Sequence, residues 1–412
     1  MEDTGTNLKK RLSGLASFAI PRAAIDALIK AQADAVTIGA YLSLACHTDK
    51  TGQFSTASLK AIRENLIVNR KRAEKAIQTL CNIQGKVMDP VTGALPPRSR
   101  KKTAEVRTVP LVYTRDAWLK LNGGKLPDGP HARAKVLHVL PTFDEPLKDR
   151  VWIGSGLVGG DDLIEKPLKQ LKNCGDVAAR LLLAMYEGQD MERWGGVPPH
   201  GFPWQYYKLQ ERPAGPIRVL FAESSAAVGP TLLFSRIDGN KEDVNSKACF
   251  AAVKALESSG FLYEAVVLLN RNPVPAQFST GSAYGEIPRD ADILCDLGSP
   301  SLYGPDSPAE QGLGQAYKQT VTDLNIDLLP PHNYLAVLPT GHPAMICGLY
   351  RLRFRVTHDH NAFVKESKRR QLDANREALS QLNYLRKAKK LDSLKYGSST
   401  LQSPSIPLNP LQ

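Results

Sequence analysis

Apolar residues recur at helical spacing through the first quarter of the chain. In ADAVTIGAYLSLACHTD, Val36, Ala40, Tyr41 and Leu44 share one face of a helix. Leu59, Ile62 and Leu66 predict a second helix, with Ser55 placed to cap it. Ala73, Ala76, Ile77 and Leu80 predict a third, capped by Asn69. Only Leu66, Ile67 and Val68 lie between the last two, so those helices must cross steeply and pack at once. Downstream, GKVMD and EVRTVPLVYT read as two strands. Between them, PVTGALPPRSRKKTA has the Pro content and basic run of an exposed loop tip.

The polar positions change the picture. The outer face of the third helix carries Arg70, Lys71, Arg72, Glu74, Lys75, Gln78 and Thr79. From Lys60 to Lys102 there are 11 Lys or Arg against 3 Asp or Glu, a local excess that is most of the whole chain's +12. Phosphate binding supplies a reason for such an excess. A basic solvent face on a helical hairpin also arises without nucleic acid, so both readings stay open at this point.

Ile62-Arg63-Glu64-Asn65-Leu66-Ile67-Val68-Asn69 resembles the stretch from second helix into turn of winged helix-turn-helix proteins. The chain departs at Ile67, where the family usually has a glycine with positive φ; a β-branched residue there is strained if the turn is kept. The resemblance implies a recognition helix in the major groove, where Arg makes bidentate bonds to guanine edges. It assigns DNA contacts to Asn69, Arg70, Lys71, Arg72, Lys75 and Gln78, and wing contacts to phosphate to Arg98, Arg100, Lys101 and Lys102.

The motif recurs. Val68-Asn69-Arg70-Lys71 continues to Ala76-Ile77 and Leu80, and Val244-Asn245-Ser246-Lys247 continues to Ala252-Val253 and Leu256 at the same offsets. ESSGFLYEAVVLL follows, with Gly260 as a helix terminator and a β-prone run from Phe261 to Leu269. DVAARLLLAMYEG supplies a first helix, with Ala178, Leu181, Leu182 and Met185 on one face, and PWQYYKLQE is the candidate second helix. An insertion with IRVLFAES and TLLFSRIDG precedes the second recognition helix, where Ser246 and Lys247 are the candidate DNA contacts. That helix is far less basic than the first, so a protein partner remains an alternative for it.

Farther on, NYLAVLP and CGLYRLRFRVT read as strands, and the segment from Ala362 to Lys395 reads as a charged helix with a thin Leu372, Leu379, Leu382 stripe. The organisation expected is a flexible N-terminus at 1–20, a winged helix-turn-helix domain at 21–122, a linker at 123–150, and a second such domain at 151–275. A β-containing unit at 276–362, a basic helix at 363–395 and a disordered tail at 396–412 complete it. The fold class is α+β, mostly helical.

Composition narrows the partners. The chain has 412 residues, 42% hydrophobic residues and a net charge of +12, a balance that favours an acidic partner. No apolar run approaches the roughly 18 residues of a membrane span, and the N-terminus carries no convincing leader. The six cysteines are scattered, without a C-x2-C pair, which points to a reduced cytoplasmic setting. Gly154, Gly156 and Gly159 spell G-x-G-x-x-G, but the strand before them is short and no acid ends a following strand. His358, Asp359 and His360 have no identifiable partner ligands. No nucleophile elbow, Walker loop or zincin motif is present. No catalytic residue, cofactor or metal is therefore expected.

These readings converge on a sequence-specific double-stranded DNA-binding protein, with a homodimer left open and no membrane partner. Two unequal winged helices in one chain resemble plasmid-type replication initiators; a transcription regulator of a bacterial chromosome or mobile element needs only one. The alternative class is a winged-helix scaffold that binds protein. One expectation concerns the basic loop. Changing Arg98, Arg100, Lys101 and Lys102 to Ala should flatten the slope of log affinity against log salt by roughly 3 to 4 units if all four touch phosphate. Binding titrations across salt concentrations measure it, and an unchanged slope places the loop in solvent.

Overall fold

The structure is a computed structural model that describes residues 17–86, 108–124, 138–161, 164–191, 193–214, 217–229, 233, 236–237, 246–272, 287–298, 335–339, 341, 343–355 and 380. Its class is α+β. The chain enters on strand β1 (Ser17–Ile20), which pairs antiparallel with β7 (Val151–Gly154). Phe18, Ala19 and Ile20 are buried, so the flexible N-terminus expected at 1–20 does not include its last four residues. Helix α1 (Arg22–Lys30) follows and buries Ala24, Ile25, Ala27, Leu28 and Ile29; sequence periodicity had not singled it out.

Helix α2 (Ala35–Cys46) is the centre of the molecule. All twelve of its residues are buried, not only the Val36, Ala40, Tyr41, Leu44 face. A helix with no polar face belongs inside a core, and AVTIGAYLSLAC has none. Asp34 caps it by accepting from the Thr37 amide at 2.7 Å. Strand β2 (Phe54–Ser55) and helices α3 (Leu59–Leu66) and α4 (Arg70–Asn82) come next. Ser58, not Ser55, caps α3, through the Ala61 amide at 3.2 Å. Ser55 is part of β2 and fully buried, and its hydroxyl donates to the Leu44 carbonyl at 2.6 Å.

Strands β3 (Gln84–Lys86) and β4 (Thr108–Pro110) form an antiparallel ladder directly after α4. The residues joining them lie outside the described ones. Strands β5 (Tyr113–Thr114) and β6 (His138–Val139) join β2 in a three-stranded sheet of order β2-β6-β5. The stretch 123–150 is therefore more than a linker, because β6 is the central strand of that sheet. Helix α5 (Arg115–Leu121) leans Trp118 on Tyr113 and Phe54 beside it.

The second half begins with the short helix α6 (Gly156–Gly159), then α7 (Pro167–Cys174) and α8 (Asp176–Gly188). PWQYYKLQE is not a helix. It opens strand β8 (Trp204–Ala214), paired along its length with β9 (Ile217–Val228), with one register shift between Lys208 and Leu209. Trp204, Tyr206 and Tyr207 are strand formers, and the long ladder with β9 satisfies their backbone. Helix α9 (Ser246–Ser258) leads through Gly260 into β10 (Leu262–Leu269). Strands β11 (Ile293–Gly298), β12 (Leu335–Pro339) and β13 (Met345–Leu352) complete one antiparallel sheet of order β11-β10-β13-β8-β9-β12. The strands expected as a separate unit at 276–362 thus share a sheet with β8, β9 and β10: β13 pairs with β10 along its whole length. Apart from residue 380, the charged helix expected at 363–395 and the tail at 396–412 lie outside the described residues.

One cluster of buried side chains runs from Phe18 to Phe354 and takes in both halves. A second, with Trp194, Trp204, Val267 and Leu349, fills the far face of the large sheet. On the helix-facing side, one acid is held in β10. Glu264 accepts from the Tyr207 hydroxyl at 2.7 Å, and a methyl group at Gly348 would overlap its carboxylate. Burial raises its pKa from 4.5 to about 7; the Tyr207 hydrogen bond lowers it and nearby Glu257 raises it further. A raised folded-state pKa means that the protonated acid favours the native state. That contribution is complete below the unfolded value and is lost as pH climbs through about 7. Glu264→Gln, which keeps an acceptor for Tyr207, should remove this loss. In urea denaturation at about pH 5 and about pH 8, the wild type should drop relative to the variant by up to about 3 kcal/mol. Equal pH dependence in the two chains would place the acid in water.

Candidate nucleic-acid interface

The two helices α3 and α4 meet on the underside of α2. Leu66 closes the contact: it is fully buried, and its Cδ2 would stand 2.5 Å from a methyl group at Gly39. Glycine at 39 is what lets the helices approach this closely. The chain then turns at Ile67 with φ 46° and ψ 65°, the left-handed conformation that glycine adopts freely and a β-branched residue does not. The turn thus keeps positive φ despite the residue that occupies it. Ile67 is also 47% exposed, so its side chain gains little by burial. Asn69 caps α4 by accepting from the Arg72 amide at 2.9 Å.

Helix α4 buries Ala73, Ala76 and Leu80, while Ile77 is half-buried. Asn69, Arg70, Lys71, Arg72, Lys75 and Gln78 are all exposed. They are not equivalent. Arg70 pairs with Glu74 one turn on, at 2.7 Å. Arg72 pairs with Asp34 at 2.6 Å, and Asp34 also caps α2. Arg72 is therefore a brace between α4 and the start of α2, which explains its place without a ligand. Lys71, Lys75 and Gln78 have no side-chain partner among the described residues. Beside them, Arg63 and Lys86 are also exposed with no acidic partner among the described residues. Arg98, Arg100, Lys101 and Lys102 lie outside the described residues.

The repeated motif forms the same local structure twice. Helices α4 and α9 each have 13 residues, begin two positions after the motif valine and end two after its leucine. Ala73, Ala76 and Leu80 are buried in one; Cys249, Ala252, Val253 and Leu256 are buried in the other. Helix α9 packs on α8 as α4 packs on α2. A strand follows Gly260 directly and lies between two antiparallel neighbours. The outer face of α9 is poor in charge: from Lys247 to Ser258, the exposed residues are Lys247, Ala251, Lys254 and Ser258. Ser246 is its first residue.

The glycine motif at 154–159 has a packing role. A methyl group at Gly154 would stand 2.9 Å from the Arg355 carbonyl, and one at Gly156 would stand 2.8 Å from the Phe354 ring. The Gly154 amide donates to Phe354 O at 3.1 Å. These glycines admit the chain at 354–355, just past the end of β13. His358, Asp359 and His360 lie outside the described residues. Among the described residues, no helix is long and apolar enough to cross a membrane.

Sequence reasoning missed the contacts that fix the turn from a distance. Lys172 on α7 donates to the carbonyls of Leu66 and Ile67 at 2.9 and 3.2 Å. Asp176 accepts from the Ala35 amide at 2.8 Å, and buried Arg180 donates to Ala33 O at 3.1 Å. No local signal announces these partners, which lie more than a hundred residues away. No protein-family model matches the chain, and no curated protein and no solved structure matches it either.

Proposed function

We propose that the chain is a sequence-specific double-stranded DNA-binding protein, and that α2, α3 and α4 with the β3/β4 ladder act as a winged helix-turn-helix. The observation that carries this reading is the first turn of α4. It holds Arg70, Lys71 and Arg72 and no acid. Cations there oppose the helix's own dipole, at a cost of some tenths of a kcal/mol each. A fold gains nothing from Lys71 in that position, whereas a phosphate or a guanine edge does. Lys71, Lys75 and Gln78 are the residues we assign to DNA, with Asn69 and Arg70 at the same edge. Arg72 is assigned mainly to the brace.

The repeated motif in α9, packed on α8, favours a replication initiator over a one-domain transcription regulator, although PWQYYKLQE does not supply the second helix of that unit. Its sparse outer face, with Lys247 exposed near the start of α9, is suited to weaker or backbone contact. The setting that fits is the cytoplasm of a bacterium, on its chromosome or a mobile element. The protein-scaffold reading makes the opposite prediction about salt, since it needs no counterion release.

The test is direct. Arg70, Lys71 and Lys75 changed together to Ala should weaken binding to a duplex DNA pool by at least about tenfold and reduce the salt slope. The melting temperature should hardly move, because exposed side chains contribute little to stability. Fluorescence anisotropy and thermal denaturation read the two quantities. Wild-type affinity in the triple variant would sink the assignment of α4, and no binding by the native chain would favour the scaffold.

A further inference from the structure

We infer that Lys172 is a positioning residue: from the second half of the chain, it sets the turn that aims α4 at its target. The inference rests on the DNA reading above for its functional meaning, but its geometry stands alone. The Lys172 ammonium donates to the last carbonyl of α3, Leu66 O, at 2.9 Å and to Ile67 O at 3.2 Å. Both acceptors lie at a helix C-terminus, where a cation is favoured by the dipole. Ile67 itself holds a left-handed conformation that its branched side chain opposes, and it is 47% exposed. Locally it is held only by the end of α3 itself, where the Ile67 amide and the Val68 amide, the latter at 3.3 Å, both donate to Arg63 O in the manner of a helix C-cap. A strained residue persists where its surroundings over-determine it, and here the surroundings include a side chain from α7.

The placement matters because the turn is short. Only Ile67, Val68 and Asn69 separate α3 from α4. A change at Ile67 is passed to the Asn69 cap and to the first turn, which carries Arg70 and Lys71. The other end of the same assembly is tied as well. Asp176 and Arg180, both on α8, hold the backbone around Ala33 and Ala35, next to the Asp34 that pairs with Arg72. The second half of the chain therefore grips the helix-turn-helix by its backbone at two places, leaving the outer side chains of α4 untouched.

The experiment compares the full chain with Lys172→Met, Ile67→Gly and the double variant. Methionine keeps the apolar stem and removes the ammonium, and glycine removes the strain. Two readouts are taken: amide hydrogen exchange from Ile67 to Ala73 without DNA, and duplex DNA affinity across salt. Lys172→Met should speed exchange in that segment and weaken affinity about tenfold, the equivalent of one charge-assisted hydrogen bond. Its salt slope should stay that of the wild type. Adding Ile67→Gly should restore most of the lost affinity and protection. A slope reduced by about one unit would mean that Lys172 touches phosphate itself, which overturns the positioning role. Unchanged exchange in Lys172→Met also overturns it. If the native chain binds no duplex, the DNA reading fails separately, and the exchange arm alone decides whether Lys172 sets the turn.

Discussion

Helix α2 being buried on every side is the constraint from which the rest of the structure follows. A helix of twelve buried residues needs cover all round, and neither half of the chain supplies it alone. Helices α3 and α4 cover one side; α7, α8 and β1 cover others. The core is therefore continuous from Phe18 to Phe354. Removing either half would expose side chains such as Ile38, Leu42 and Leu44, each worth about 1.5–3 kcal/mol when fully buried. The two copies of the motif behave as parts of one body, and their separation in sequence conceals a shared centre.

That shared centre explains how charge is distributed. Near the start of α2, backbone groups are satisfied by side chains from both directions: Asp34 from its own cap, Asp176 and Arg180 from α8. Asp34 has a second carboxylate oxygen to offer, and Arg72 takes it. The cation that sequence alone would rank beside Arg70 and Lys71 is thus drawn inward. An exposed pair of this kind contributes modestly to stability. Its stronger effect is on orientation, since it ties the first turn of α4 to the cap of α2.

Legibility in the sequence tracked the range of the interactions. Asn69 as a cap, the apolar faces of α3 and α4, and the strand after Gly260 depend on residues a few positions apart, so spacing reveals them. The repeat was readable for the same reason: two 13-residue helices bury matching positions. What failed depends on distant partners. PWQYYKLQE is a strand because β9 and β13 pair with it, and the β-forming Trp204, Tyr206 and Tyr207 are its local sign. Ser55 looked like a cap but lies in β2, held by Leu44. The all-round burial of α2 had a local sign, the lack of any polar face, which a single-face reading overlooked. At the candidate site, the exposed face of α4 could be read from periodicity, whereas the loss of Arg72 to Asp34 and the grip of Lys172 could not.

Besides Ile67, positive φ is held by Gln32, Phe143 and Asp144, but among these residues only Ile67 is β-branched. Ile67 occupies a conformation suited to glycine, and the next helix opens with three cations against its own dipole. Two such departures fall within six residues, and local conflicts of this kind gather where a fold serves something besides its own stability. Each costs stability at the same corner, and neither adds buried apolar surface. A corner that carries cost without packing gain is where a ligand-facing surface is expected. An acceptor-rich, negatively charged partner would offset the second departure, and the α7 contact restrains the first. On the proposed reading, the stability of the corner would depend on one interaction within the chain and one outside it, so the start of α4 would respond to the partner that binds there.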